Sequence, residues 1–151
     1  MSLVSSPSWG LSMDDLVIRE SLWNKKFNDV PFTGEIDEGL ERGSYKNGKR
    51  EGFWETYWWN GQLSYRGTYR NGKRDGFWTQ YDPEGRVQLK HNYKQGDYHG
   101  NWESYHEDGT LFEKGEYKDG LRHGRWISYF TSGELHTGSS GQFKNGVKVS
   151  D

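Results

Sequence analysis

The 151-residue chain contains no cysteine, no alanine and only three prolines. Without cysteine there is no disulfide framework, no thiolate metal site and no cysteine nucleophile. The absence of alanine, the best helix former, weighs against a helical protein. Leu, Ile, Val and Phe together number 26, or 17% of the chain, below the roughly 20% under which chains often stay disordered. No apolar run approaches the roughly 18 residues of a membrane helix. Met1 to Gly10 lack a basic flank and an apolar core, so no signal peptide is read and the cytoplasm is the expected location. A formal net charge of −2 gives no global pull toward nucleic acid or an anionic membrane.

What is present replaces the missing aliphatics. Eight Trp, ten Tyr and seven Phe make up 17% of the residues. Each buried aromatic removes on the order of 150–250 Å² from water, enough to supply a core. The 21 glycines, with so few prolines, mark tight turns rather than a flexible coil.

A 24-residue unit runs four times without a gap, as Gly43 to Arg66, Gly67 to Lys90, His91 to Lys114 and Gly115 to Gly138. Equivalent positions carry Tyr45, Tyr69, Tyr93 and Tyr117; Trp54, Trp78, Trp102 and Trp126; Tyr57, Tyr81, Tyr105 and Tyr129; and Leu63, Val87, Leu111 and Leu135. A partial fifth copy spans Gly141 to Val149 after a two-residue slip, and a degraded one surrounds Phe32 to Glu35. Asn-Gly and Asp-Gly pairs at 47–48, 60–61, 71–72, 108–109 and 119–120 predict type I′ hairpin turns. The intervening aromatic runs read as strands. The expected fold is all-β: a single-layer, twisted antiparallel meander of two-stranded repeats. Three segments follow: a loose or tag-derived 1–13, a capping segment with a degraded repeat at 14–42, and the array at 43–149. Within the cap, Asp14 to Phe27 reads either as a short amphipathic helix after an Asp cap or as the first strand, and a strand over Leu16 to Trp23 is preferred because Val and Ile sit centrally.

A two-residue turn at Asn60-Gly61 pairs Trp58 with Leu63, Thr56 with Tyr65 and Trp54 with Gly67, so that Trp54 covers Gly67. One face then collects Trp54, Trp78, Trp102 and Trp126 with the Leu/Val column and Tyr45, Tyr69, Tyr93 and Tyr117 as the repeat core. The reverse face carries Tyr57, Tyr81, Tyr105 and Tyr129 as a ladder, near Glu55, Arg66, Glu103 and Lys114. Alternate turns sort charge onto two edges: Lys49, Arg50, Lys73, Arg74, Lys94, Lys118, Arg122 and Lys148 on one, and Trp59, Asp82, Glu84, Glu107 and Asp108 on the other.

The pattern G-x-Y-x-N-G-K-x-x-G-x-W-x-x-Y-x-x-N-G-x-L, from Gly43 to Leu63, resembles the bacterial MORN-repeat variant. The lead-in Val30-Pro31-Phe32-Thr33-Gly34-Glu35 resembles the start of antitoxin components of toxin–antitoxin systems. The resemblance covers Leu16 to Val149 and implies a β-meander engaged in protein contact, with an antitoxin label attached at family level. Departures are His91 for the leading glycine of copy three, Gly96-Asp97-Tyr98 for Gly-Lys-Arg, and the slip before Gly141.

Chemistry is sparse. His99 and His123 share a repeat position and fall on adjacent turns, but no third metal ligand is evident; His91, His106 and His136 read as surface or strand-edge residues. Asp82 with Glu84, and Glu107 with Asp108, fall at turn tips and read as solvated rim rather than an acid–base pair. No catalytic order, phosphate loop or dinucleotide fingerprint is present. The expectation is a non-enzymatic, cofactor-free and metal-free module that binds another protein through Tyr57, Trp59, Tyr81, Tyr105, Tyr129 and Arg66. The resemblance makes that partner a toxin neutralised by an antitoxin or immunity protein. The alternative is a scaffold at an anionic phospholipid surface; nucleic acid is disfavoured because acids follow Arg50 and Arg74. A second copy of the chain is one way to cover an exposed aromatic face.

Overall fold

The computed structural model describes residues 16–19, 22–25 and 30–151. Every helix or strand among them is a strand: β1 (Leu16–Arg19), β2 (Leu22–Lys25), β3 (Gly34–Glu38), β4 (Glu41–Lys46), β5 (Lys49–Tyr57), β6 (Leu63–Arg70), β7 (Lys73–Arg74), β8 (Gly76–Tyr81), β9 (Val87–Lys94), β10 (Asp97–Tyr105), β11 (Leu111–Lys118), β12 (Leu121–Ser128), β13 (Gly141–Lys144) and β14 (Val147–Ser150). Strands β3 to β14 form one antiparallel sheet in chain order, with β7 a two-residue spur on β6. The expected all-β meander is the observed fold.

Two kinds of turn alternate along it. On one edge each turn has two left-handed central residues, Asn47-Gly48, Asn71-Gly72, Gln95-Gly96, Asp119-Gly120 and Asn145-Gly146, with φ between 50° and 98°. Those at 47–48, 71–72 and 119–120 are the expected type I′ turns, whose twist matches the strands, and Gln95-Gly96 and Asn145-Gly146 join them. The Asn60-Gly61 and Asp108-Gly109 turns depart from that expectation. There only the glycine is left-handed, and Gly61 N donates to Trp58 O while Trp58 N donates to Gln62 O. The extra loop residue moves the pairing: Tyr57, not Trp58, faces Leu63, and the register shifts between Thr56 and Tyr57. Copies two and three shift at the same place, between Gln80 and Tyr81 and between Ser104 and Tyr105, and such bulges increase local twist.

The core is a chain of rings along one face. Trp23, Tyr45, Trp54, Tyr69, Trp78, Tyr93, Tyr98, Trp102, Tyr117, Trp126 and Phe143 follow one another with centroids 4.9–6.4 Å apart. Tyr45, Trp54, Trp78 and Trp126 are the deepest, at 2% exposure or less. Trp54 pairs in register with Gly67, as expected, but its ring does not cover that glycine. It lies over Gly43 on the other neighbouring strand, while Trp78 lies over Gly67 and Trp126 over Gly115; a Cβ at any of these glycines would run into the indole. Each of these indoles then donates Nε1–H to a carbonyl of the same preceding strand, of Ser44, Thr68 and Glu116, at 3.1 Å.

Copy three breaks the pattern. His91 stands where the other copies have glycine, and it is 2% exposed rather than a surface residue. Its ring packs against Tyr93, Tyr98 and Trp102. Neither of its nitrogens, nor Trp102 Nε1, has a hydrogen-bond partner. Of the Leu/Val column expected in the core, Leu63, Val87 and Leu111 are half-buried, whereas Leu135 is 50% exposed. The reason is the slip: beyond Tyr129 the pairing shrinks to a single bridge, Tyr129 to Leu135, before β13 resumes.

The segment expected as one strand from Leu16 to Trp23 is instead two, β1 and β2, paired as a separate sheet. It caps the array. Trp23 N donates to Gly48 O, Phe32 N donates to Trp23 O, and the Trp23 ring packs on Tyr45. The expected loose segment 1–13 lies outside the described residues.

Candidate functional site

Alternation along β5 places Phe53, Glu55 and Tyr57 on the face opposite Trp54. The Tyr57 hydroxyl donates to Glu55 at 2.7 Å and accepts from Arg42 at 3.0 Å, and the Arg42 guanidinium lies 4.6 Å over the Tyr57 ring. Copy three repeats the device: Tyr105 donates to Glu103 at 2.7 Å beneath the Lys90 ammonium. In copy two Arg66 sits 5.6 Å over Tyr81. Tyr129 is fixed through its backbone, its N–H donating to Phe112 O and its carbonyl accepting from His106. The four tyrosines are half-buried and stand two strands apart, about 10 Å per step. Burial, then the bond to a neighbouring Glu, raises the Tyr57 and Tyr105 phenols above their ordinary value, so both remain protonated donors.

Phe53 and Phe77 share this face at 58% and 55% exposure. They were not among the residues expected to bind, although their i−1 position to Trp54 and Trp78 marks them as outward. Trp59, at 75% exposure, projects from the tip between β5 and β6. Its mount is firm: Trp58 packs edge-on against it and donates Nε1–H to Tyr81 O, while Asn60 donates to Pro83 O.

The edges sort charge differently from the expectation. Arg50, Arg74 and Arg122 leave the basic rim and fold inward, 4.6, 4.6 and 4.1 Å over Trp54, Trp78 and Trp126. Arg50 pairs with Glu41 and donates to Tyr69, Arg74 donates to Tyr93, and Arg122 pairs with Glu113. The guanidiniums close the core because cation–π contact acts together with ion pairing at Arg50 and Arg122 and with the bond to the Tyr93 hydroxyl at Arg74. Lys49, Lys73, Lys94 and Lys118 stay exposed on that edge as expected, and Lys46, Arg70 and Lys144 join Lys94 and Lys118 in a column of exposed cations, one before each type I′ turn.

On the other edge Asp82 is buried, not solvated. It accepts from the Glu84 and Arg86 amides and from Arg86 Nε at 2.6 Å. Burial opposes ionisation, but these bonds prevail and hold its carboxyl below the ordinary value. Asp108 likewise ties its turn through Thr110. Of the four carboxylates that the sequence singled out, Asp82 and Asp108 are therefore engaged in turns, while Glu84 and Glu107 are exposed as expected. His99 Nδ1 accepts the Asp119 amide at 3.4 Å, linking consecutive turns. Among the described residues no group of three or more His, Asp or Glu side chains is placed to hold a metal ion.

Residues 98–119 match the family model described as a MORN repeat variant. No curated protein matches the chain. The match straddles copies three and four of the 24-residue unit. Such repeats point to a binding or scaffold module.

Proposed function

We propose that this chain is a non-enzymatic protein-binding module that docks its partner on the tyrosine face. The observation that carries it is the pre-set geometry of that face: Tyr57, Tyr81 and Tyr105 each lie beneath a cation, beside exposed Phe53 and Phe77. Aromatic anchors already held in place lose little freedom on binding, which is where interface energy concentrates. Trp59 adds an anchor at the edge, and the basic and acidic rims steer the approach of a complementary partner. The finer reading is that the partner is a toxin, occluded by this chain as an antitoxin or immunity protein in the cytoplasm. It is supported by the likeness of Val30 to Glu35 to the lead-in of antitoxin components.

The test is capture of partners by the intact chain and by Tyr81→Ala with Tyr105→Ala, followed by affinity measurement on the purified partner. Loss of more than about 2 kcal/mol of binding, with an unchanged melting curve, is the expected result. Equal affinity would refute docking on this face.

A second reading rests on the column Lys46, Arg70, Lys94, Lys118 and Lys144, which suits a scaffold on anionic phospholipid. Flotation with anionic liposomes at low and high salt distinguishes it; absence of salt-sensitive binding removes it.

A further inference from the structure

Across the tyrosine face, one row of side chains runs through eight consecutive strand positions in register. It reads Arg42, Glu55, Arg66, Thr79, Lys90, Glu103, Lys114, Ile127. Cations and acids alternate along it except at Thr79 and at the last position, Ile127, and only Thr79 lies between two cations. Copies one and three place Glu55 and Glu103 between two cations, whereas copy two places Thr79 there. Arg66 and Lys90 thus flank a position with no carboxylate of its own, two strands or about 10 Å apart. Among the described residues neither is joined to an acid within ion-pair distance. Each instead leans over a tyrosine, Tyr81 and Tyr105. Along β8 the position is bracketed by Phe77 and Tyr81, and Thr79 itself is 3% exposed, a short polar floor.

We infer that Thr79 marks a seat for a carboxylate supplied by the partner: an Asp or Glu in a peptide segment laid across the face, completing the charge alternation between Arg66 and Lys90. This deepens the docking reading above and rests on it. A protein carboxylate is the fitting occupant because copies one and three fill the equivalent position between two cations with Glu, and because Phe77 and Tyr81 offer apolar contact to residues either side of the acid. An acid seated between two cations makes charge-assisted hydrogen bonds, stronger than neutral ones.

The experiment selects random twelve-residue peptides displayed on phage against the full chain. The enriched sequences are then synthesised and measured against three proteins. These are the natural chain, Thr79→Glu, and Arg66→Gln with Lys90→Gln. Thr79→Glu copies what Glu55 and Glu103 already are in the same fold, and the double variant provides an independent reading. Enriched peptides carrying Asp or Glu, weakened roughly tenfold or more by either variant, are the expected result. Peptides without an acid, or with unchanged affinity for both variants, overturn the seat; if Tyr57→Ala with Tyr129→Ala still abolishes them, docking on the face stands. No enrichment, or peptides indifferent to the tyrosines as well, overturns both. A labelled oligouridine that binds more tightly than any peptide and is lost on Thr79→Glu would give the seat to nucleic acid and overturn the inference.

Discussion

The Trp102 indole packs against the His91 imidazole at 5.6 Å, where the corresponding rings of Trp54, Trp78 and Trp126 lie on bare backbone at Gly43, Gly67 and Gly115. The imidazole occupies the place the indole takes elsewhere, and Trp102 loses the bond its Nε1–H would donate to the Asn92 carbonyl. Tyr98 stands in the same copy where Arg50, Arg74 and Arg122 cover their tryptophans, and stacks on Tyr93 at 4.9 Å. Burial, then the Tyr93 hydroxyl, pushes the Tyr98 phenol up to about 12. Two departures from the repeat, on β9 and β10, thus concentrate unpaired buried polar atoms in one copy.

His91 makes stability depend on pH. Burial, and next the Arg74 charge, lower its pKa to about 4, against about 6.5 in the unfolded chain. A base with a depressed folded pKa contributes nothing above pH 6.5, where both states are neutral. Below that the unfolded chain takes the proton first, so stability falls from pH 6.5 down to about 4 and then levels. By pH 4.5 the loss from this residue is roughly 2–3 kcal/mol. Denaturant unfolding at pH 7 and 4.5 checks it against His91→Gly, which removes this part of the slope and leaves that of the carboxylates.

Restoring the repeat should stabilise copy three. With His91→Gly and Tyr98→Arg together, the Trp102 ring can settle on the strand, donate to Asn92 O and receive a guanidinium that reaches Tyr117. A recovered hydrogen bond and a cation–π contact are each worth about 1 kcal/mol, so a gain of about 1–2 kcal/mol is expected at pH 7. Thermal unfolding measures it, and either single change should recover less than the pair.

Gln95 is the one type I′ turn residue on this edge that is not Asn or Asp, yet it holds φ at 52°. Asn tolerates that left-handed conformation better because its short amide bonds locally. Gln95→Asn should therefore stabilise by about 0.5–1 kcal/mol without altering any side-chain contact, read as a higher melting temperature.

The periodic features were legible because turn chemistry and strand alternation are local. Asn47-Gly48 and Asn71-Gly72 announce their turns, and counting from Trp54 assigns Tyr57 to the reverse face. Inward-folding Arg50 was not legible: Gly-Lys-Arg-Glu reads as a solvated turn, and only the ring four residues on, at Trp54, gives the guanidinium a reason to turn in. The choice between Gly67 and Gly43 beneath Trp54 was hidden for a related reason. Both glycines neighbour that position, and the lean of a side chain leaves no mark in spacing. For the candidate site, the tyrosine row was readable, but the gap at Thr79 emerges only when pairing aligns it with Arg66 and Lys90.

The close approach of indole to backbone predicts an asymmetry between glycines. A methyl at Gly67 would run into the Trp78 ring, which is 2% exposed and tied by its Nε1–H to Thr68 O. The ring has nowhere to retreat, since Tyr69 and Tyr93 pack on it edge-on and Arg74 covers it. Gly67→Ala should therefore cost about 3 kcal/mol, close to the roughly 3–5 kcal/mol expected when Trp78→Ala empties the site. Gly138, whose added methyl would meet only the His136 ring at 3.3 Å, should accept Ala within about 0.5 kcal/mol. Denaturant unfolding of the three variants decides it: a mild Gly67→Ala would mean the indole can leave its strand freely, and the ring chain would then not be what holds the array together.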